Sequence, residues 1–125
     1  MVNSKEASFA YLETLSDEQL CAACQLGNRN AEEVLAARYH RLVRSIARPY
    51  FLAGGDNEDL LQEGMVGLIK AMREYDPHQA ASFCTFAEVC IRRRLYTVLK
   101  SASSGKHQPL NQAIPLNPSF FDVSL

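Results

Sequence analysis

DLLQEGMVGLIKAMREYDP, from Asp59 to Pro77, is the stretch on which the reading of this chain turns. At 3.6 residues per turn, Asp59, Gln62 and Glu63 share one face of a helix. Leu61, Met65, Leu68 and Met72 form a second, apolar stripe pointing away from those polar groups. Between them, Leu60, Gly64, Gly67 and Ala71 make a strip of small side chains. A glycine inside a helix costs about 1 kcal/mol relative to alanine, so two of them predict the close approach of another backbone. Val66 falls among the acids on the polar side, where the helix's own core does not need it. The helix therefore presents one surface to its core and a second to something outside.

The flanking sequence reads as helix throughout. Ser16-Asp17-Glu18-Gln19 has the spacing of a capping box and starts a short helix that Gly27 stops. Asn30 and Glu33 give a similar start signal for a longer helix, in which Leu35, Tyr39, Leu42, Val43 and Ile46 cluster on one side and Arg41, Arg44 and Arg48 on another. Pro49 and Gly54-Gly55 are expected to end it, and Asp56 to cap the acidic helix. Ser82 can cap a last long helix from about Phe83 to Ser103, closed by Gly105. No alternating segment competes for strand. The expected fold is all-α, a helical bundle of about four helices over residues 16–105. A leader of residues 1–15, unstructured or a poorly defined helix, precedes it, and an irregular tail with Pro109, Pro115 and Pro118 follows.

Composition narrows the function. A chain of 125 residues suits one domain with a modest core. No run approaches the roughly 18 apolar residues of a membrane span, and the N-terminus lacks a basic-then-apolar signal, so a cytoplasmic protein without a membrane partner is expected. Cys21, Cys24, Cys84 and Cys90 lack the tight knuckle spacing of zinc sites, and in a reducing cytosol they read as small apolar residues. Neither metal nor cofactor is expected. His40, His78 and His107 are scattered, and no nucleophile–base pair or phosphate-cradling glycine loop is present, which argues against an enzyme.

The net charge of −1 hides a polarised distribution. Asp56, Glu58, Asp59, Glu63, Glu74 and Asp76 crowd one segment against Lys70 and Arg73. From Val89 to Phe121 there is no acid, while Arg92, Arg93, Arg94, Lys100 and Lys106 fall there. Such a split suggests two partners of opposite sign. On the last helix, Ala87, Ile91, Leu95 and Val98 form an apolar side. Thr85, Phe86, Val89, Arg92, Arg93, Tyr96 and Lys100 fall within about 120° on the other. Cations among aromatic rings suit single-stranded nucleic acid, neutralising phosphates and stacking unpaired bases. Arg94 points towards the core side, where it is expected to snorkel or to pair with an acid.

Two blocks, DLLQEGMVGLIKAMREYDP and SFCTFAEVCIRRRL from Ser82, resemble region 2 of bacterial RNA polymerase sigma factors, whose pattern is DL-I/V-QEG-x-x-GL followed by F-x-x-aromatic-A. The resemblance runs from about Ser16 to Asn111, and KHQPLN at Lys106–Asn111 is closest to the sporulation sigma-H branch. It implies a non-catalytic subunit that directs transcription initiation. Asp59, Leu60, Gln62 and Glu63, with Val66, would dock on the β′ clamp coiled coil of core RNA polymerase. Phe83, Thr85 and Phe86 match the promoter-melting segment. Arg92, Arg93 and Tyr96 occupy the following turns, which read the minus-ten element, chiefly on the non-template strand. An anti-sigma factor is a further partner such proteins can have. Val89 and Cys90 replace the family's tryptophan pair, and Cys84 its usual serine, which points to an alternative rather than a housekeeping factor. Residues 106–125 would then lead towards a promoter-binding C-terminal domain absent from this chain. A sigma-like decoy that binds polymerase without initiating, and a small helical DNA-binding repressor, are the competing readings.

Overall fold

Ser16 caps as its spacing predicts. In the computed structural model, which describes residues 4–52 and 57–104, Gln19 donates its backbone N–H to Ser16 Oγ at 3.1 Å, and Ser16 donates its own to Gln19 Oε1 at 2.9 Å. Among the described residues five helices follow one another: α1 (Ser4–Leu12), α2 (Asp17–Gln25), α3 (Arg29–Leu52), α4 (Asn57–Glu74) and α5 (Phe83–Ser104). The described residues contain no strand, in agreement with the all-α expectation.

Gly27 ends the α2 region at φ +95°, a left-handed conformation that glycine adopts without the Cβ penalty. Its N–H reaches Cys24 O at 2.9 Å, and the next N–H, from Asn28, reaches Ala23 O at 3.0 Å, closing the helix end. Asn28 then serves α3, its Oδ1 accepting from the Ala31 N–H at 3.1 Å. The start signal assigned to Asn30 and Glu33 thus sits two residues too late. Pro49 also fails to end α3, which continues to Leu52. The proline removes one N–H whose intrahelical acceptor would be Ser45 O. Ser45 is exposed, so water can serve that carbonyl, while buried Ile46, Ala47 and Tyr50 hold the turn in place. Gly54, Gly55, Asp56, Gly105 and the proline-containing tail lie outside the described residues.

Part of the N-terminal segment contributes to the packing. Leu12 of α1 is buried in the core and Phe9 and Leu15 pack against it. Arg38 of α3 donates to Glu13 O at 2.8 Å and to Asp17 Oδ1 at 2.9 Å. Asp17 also accepts from the Tyr39 hydroxyl. Burial, and then the bond to Asp17, push that phenol far above its ordinary range.

α3 runs through the centre and packs on all four other helices. On α4 the two stripes expected from the wheel merge into a single buried face. Leu60, Leu68, Ala71 and Met72 are buried, whereas Leu61 and Met65 are only partly so. The centre of the face is the glycine row, because α3 and α5 approach α4 from either side of it. A Cβ at Gly64 would stand 2.7 Å from Val43 Cγ1 on α3. One at Gly67 would stand 3.0 Å from Arg94 Cβ, 3.1 Å from Cys90 O and 3.1 Å from the Ile91 Cα. At the two glycines, neighbouring helices therefore come too close to α4 for a side chain to fit freely.

α2 braces the corner between α4 and α5 at both ends. Gln25 Nε2 donates to Met72 O at 3.1 Å and to Tyr75 O at 2.8 Å, satisfying carbonyls at the α4 C-terminus. Glu18 Oε2 accepts from the Phe83 N–H at 3.0 Å, at the start of α5. A carboxylate at a helix N-terminus also meets the positive end of its dipole. Within the corner, the Tyr75 hydroxyl donates to Ala81 O at 2.9 Å and Asp76 Oδ1 accepts from the His78 N–H at 2.9 Å. Ser82 caps α5 as expected, its Oγ accepting from the Thr85 N–H at 3.2 Å.

Gly67→Ala tests the close approach, because propensity and packing oppose each other there. An exposed helix would gain about 1 kcal/mol from the change. Here the added methyl meets backbone atoms of α5, and overpacking of this kind costs about 1–3 kcal/mol. We expect a lower thermal midpoint for Gly67→Ala; an unchanged or higher midpoint would contradict the tight α4–α5 seam.

Candidate functional site

The outer side of α4 carries the first surface. Asp59 and Gln62 are exposed, and Val66 follows one turn later with 39% of its surface in solvent. Val66 is one of few large apolar side chains left in water among the described residues. Leu60 is different: at 3% exposure it belongs to the core, so the contact expected of it is not available on this surface. Glu63 looks sideways, into the seam with α5. Its Oε1 accepts from Arg94 Nε at 2.8 Å and from Nη2 at 2.7 Å. Arg94 thus pairs with an acid, as its core-side position allows, and the acid is one expected to contact polymerase. Both side chains keep about a third of their surface in solvent, so the pair stabilises the seam modestly, by about 1 kcal/mol or less.

α5 carries the second surface, and only part of it is as the wheel suggests. Phe83 is fully buried, and Phe86 and Val89 are nearly so. Phe83 lies edge-on to Tyr39 at 5.3 Å between ring centroids and to Tyr75 at 5.5 Å, while Phe86 meets Tyr75 at 5.6 Å. These contacts put Phe83 and Phe86 in the core, and Val89 is buried as well. A wheel treats a helix as having one covered side, but the first turns of α5 are enclosed by α2, α3 and the 75–82 corner together. Tyr39, on the apolar side of α3, and Tyr75, in the corner before α5, were the available signal, since large rings pack against other rings. Thr85, between Phe83 and Phe86, is exposed; further along, Lys100 is exposed and Arg92, Arg93 and Tyr96 are half-buried. Ala87, Ile91 and Leu95 face inwards as expected.

A groove of about 310 Å³ runs along the α4–α5 seam beside this face. Gly67, Lys70 and Glu74 line it from α4, and Cys90, Arg93, Arg94 and Thr97 from α5. Three cations face a single acid there. Thr97, exposed and one turn beyond Arg93, joins the surface although sequence reasoning passed over it. Its spacing of four from Arg93 was the legible signal. Burial raises the Cys90 thiol to about 11, with Glu74 adding to the rise and Arg93 and Lys70 opposing it.

Cys21, Cys24, Cys84 and Cys90 are all free thiols. Among the described residues no cluster of three His, Cys, Asp or Glu side chains could hold a metal ion, and no helix is long and apolar enough to cross a membrane.

Comparison with known proteins agrees with this geometry. The family model for Sigma-70 region 2 matches residues 35–104, from the second turn of α3 to the end of α5. The chain belongs to the Sigma-70 region 2 family. It is 43% identical to the RNA polymerase sigma-H factor of Bacillus subtilis (strain 168) over 108 residues, 86% of this chain and 50% of that protein. The RNA polymerase sigma-H factor of Bacillus licheniformis is 42% identical over 108 residues, again 86% of this chain and 48% of the relative. An RNA polymerase sigma-E factor from Clostridium acetobutylicum is 33% identical over 90 residues, covering 68% of this chain and 38% of its own length. The chain thus spans about half the length of the sigma-H relatives it matches. No solved structure matches it.

The cysteines give a direct check on the packing around both surfaces. Burial, reinforced by Cys24, Asp17 and Glu18, raises the Cys21 thiol to about 12. Only the thiolate is nucleophilic, and Cys84 is exposed at the start of α5. Iodoacetamide at pH 8, followed by peptide mass spectrometry, should label Cys84 well before Cys21. Equal rates would mean that α2 does not seal the core.

Proposed function

We propose that this chain is a sigma-type, non-catalytic subunit that joins core RNA polymerase to promoter DNA. In this reading α4 docks on the clamp coiled coil of the β′ subunit, and α5 engages the minus-ten element, chiefly its non-template strand. The observation that carries it is the two-sided α4–α5 hairpin in a Sigma-70 region 2 chain. Asp59, Gln62 and Val66 stand on the outer side of one helix, and Arg93, Tyr96, Thr97 and Lys100 on the other. Likeness to the sigma-H factors named above supports an alternative factor of the sporulation type, working in the cytoplasm.

The division of labour follows from the chemistry. On α4, charge-assisted bonds from Asp59 and Gln62 set register, and Val66 supplies a small desolvated centre. Glu63 acts from behind, holding α5 against α4 through Arg94. On α5, Arg93 and Lys100 neutralise phosphates and Tyr96 offers a ring face to an unstacked base. Phe83, Phe86 and Val89 support that surface from within, and Thr85 flanks it. Flipping a base out of the duplex costs a few kcal/mol, recovered by stacking and edge contacts. Without the family's tryptophan pair, this chain has less ring surface to spend on melting, which fits a factor that depends on a well-matched promoter.

Two measurements test the two surfaces separately. Asp59→Lys should weaken binding to core polymerase by about tenfold or more, read by fluorescence titration with core enzyme, while circular dichroism shows the helical fold retained. Undiminished affinity would remove α4 from the interface. Arg93→Ala combined with Lys100→Ala, in the complex with core polymerase, should flatten the slope of log K against log salt for a minus-ten single strand by about 1.4, two phosphates at about 0.7 each. An unchanged slope would mean that these cations do not meet the backbone.

A further inference from the structure

α5 carries Arg92, Arg93, Arg94 and Lys100 but only one acid, Glu88. Glu88 lies one residue before the acid-free run and one helical turn before Arg92. The two are paired: Arg92 Nη2 donates to Glu88 Oε1 at 2.9 Å. A glutamate four residues N-terminal to its cation is the favourable orientation for a pair along a helix. Only 20% of the Arg92 side chain is in solvent, against 37% for Glu88. On the inner side lies Tyr50 of α3, fully buried; burial raises its phenol and the Arg92 guanidinium opposes the rise. The guanidinium is thus held by a half-buried carboxylate on its own helix, and it acts electrostatically on the buried Tyr50 phenol. Arg94 is engaged by Glu63 in a similar way.

From this arrangement we infer that Glu88 is a positioning residue that keeps Arg92 off the phosphate backbone and so limits sequence-independent affinity for DNA. The inference rests on the reading of α5 as the nucleic-acid face. A phosphate seeking Nη2 has to displace a carboxylate that already accepts from it, and that carboxylate repels the phosphate as it approaches. Arg92 then contributes orientation and packing rather than a backbone contact, leaving Arg93 and Lys100 as the cations that track the strand. The gain is selectivity: phosphate contacts carry no sequence information, so each one withheld lowers binding to every strand alike.

The test uses the 125-residue chain in complex with core RNA polymerase, with fluorescently labelled single strands, one of minus-ten sequence and one scrambled, titrated by anisotropy at several salt concentrations. Glu88→Gln should tighten binding to both strands about three- to tenfold at low salt and steepen the salt slope by about 0.7, one added phosphate. Glu88→Asp, which keeps the charge, should retain a slope near that of the parent. Adding Arg92→Ala to Glu88→Gln should cancel the gain, which a merely structural role for Glu88 would not do. A parental slope for Glu88→Gln, weaker binding, or a gain that survives Arg92→Ala would overturn the inference. If the parent complex forms but binds neither strand, the nucleic-acid reading of α5 falls and this inference with it. If the parent binds with a slope that Arg93→Ala and Lys100→Ala flatten while Glu88→Gln changes nothing, only the role of Glu88 falls.

Discussion

The close approach of α4 and α5 at Gly67 is the constraint on which the rest of the structure depends. With no side chain at that position, α5 lies so near that any Cβ would press on its backbone. The separation fixes where every residue on the outer faces of both helices can point. The Glu63–Arg94 pair spans the same seam and sets its register, while Gly64 lets α3 close on the other flank. Two helices held this tightly behave as one rigid element, and each can present a different chemistry on the side that the other leaves open.

α2 gives that element its fixed corner. Its first turn supplies Glu18 to the N-terminus of α5, and its last residue supplies Gln25 to the C-terminus of α4. A nine-residue helix with a capping box at one end and a left-handed glycine just past the other is thereby a strut across a reversal. The aromatic cluster of Tyr39, Tyr75, Phe83 and Phe86 fills the space beneath it. Rings that resemble a melting segment in sequence therefore act as the foundation of the face, and polar or half-buried residues further along α5 form its exposed part.

Much of this was legible in the sequence, and the misses share a cause. Local signals read well: the Ser16–Gln19 box, the Gly27 stop, the Ser82 cap and the glycine strip all act over one helical turn, where spacing determines geometry. The inward course of Arg94 was also readable, because three consecutive arginines cannot share a face. What spacing could not supply was the number of neighbours around a helix. A wheel with one buried side turns Phe86 and Val89 outwards, and the resemblance gives Phe83 to the melting segment, yet the start of α5 is enclosed on several sides. Leu60 moved into the buried face for the same reason, since α4 is sandwiched between α3 and α5. Pro49 was read as a stop because its local cost was visible, whereas the burial of Ile46, Ala47 and Tyr50 that outweighs it was not. Glu88 was passed over because it stands just outside a run chosen for lacking acids.

The central claim is that one rigid hairpin meets polymerase with α4 and DNA with α5. Site-specific photocrosslinking tests it directly: a photoreactive side chain at Gln62 or at Tyr96, in the chain assembled with core RNA polymerase and a labelled minus-ten non-template strand. The account predicts crosslinks from position 62 to the β′ subunit and from position 96 to DNA, each largely exclusive. Crosslinks from position 62 to DNA, or from position 96 to β′, would contradict it.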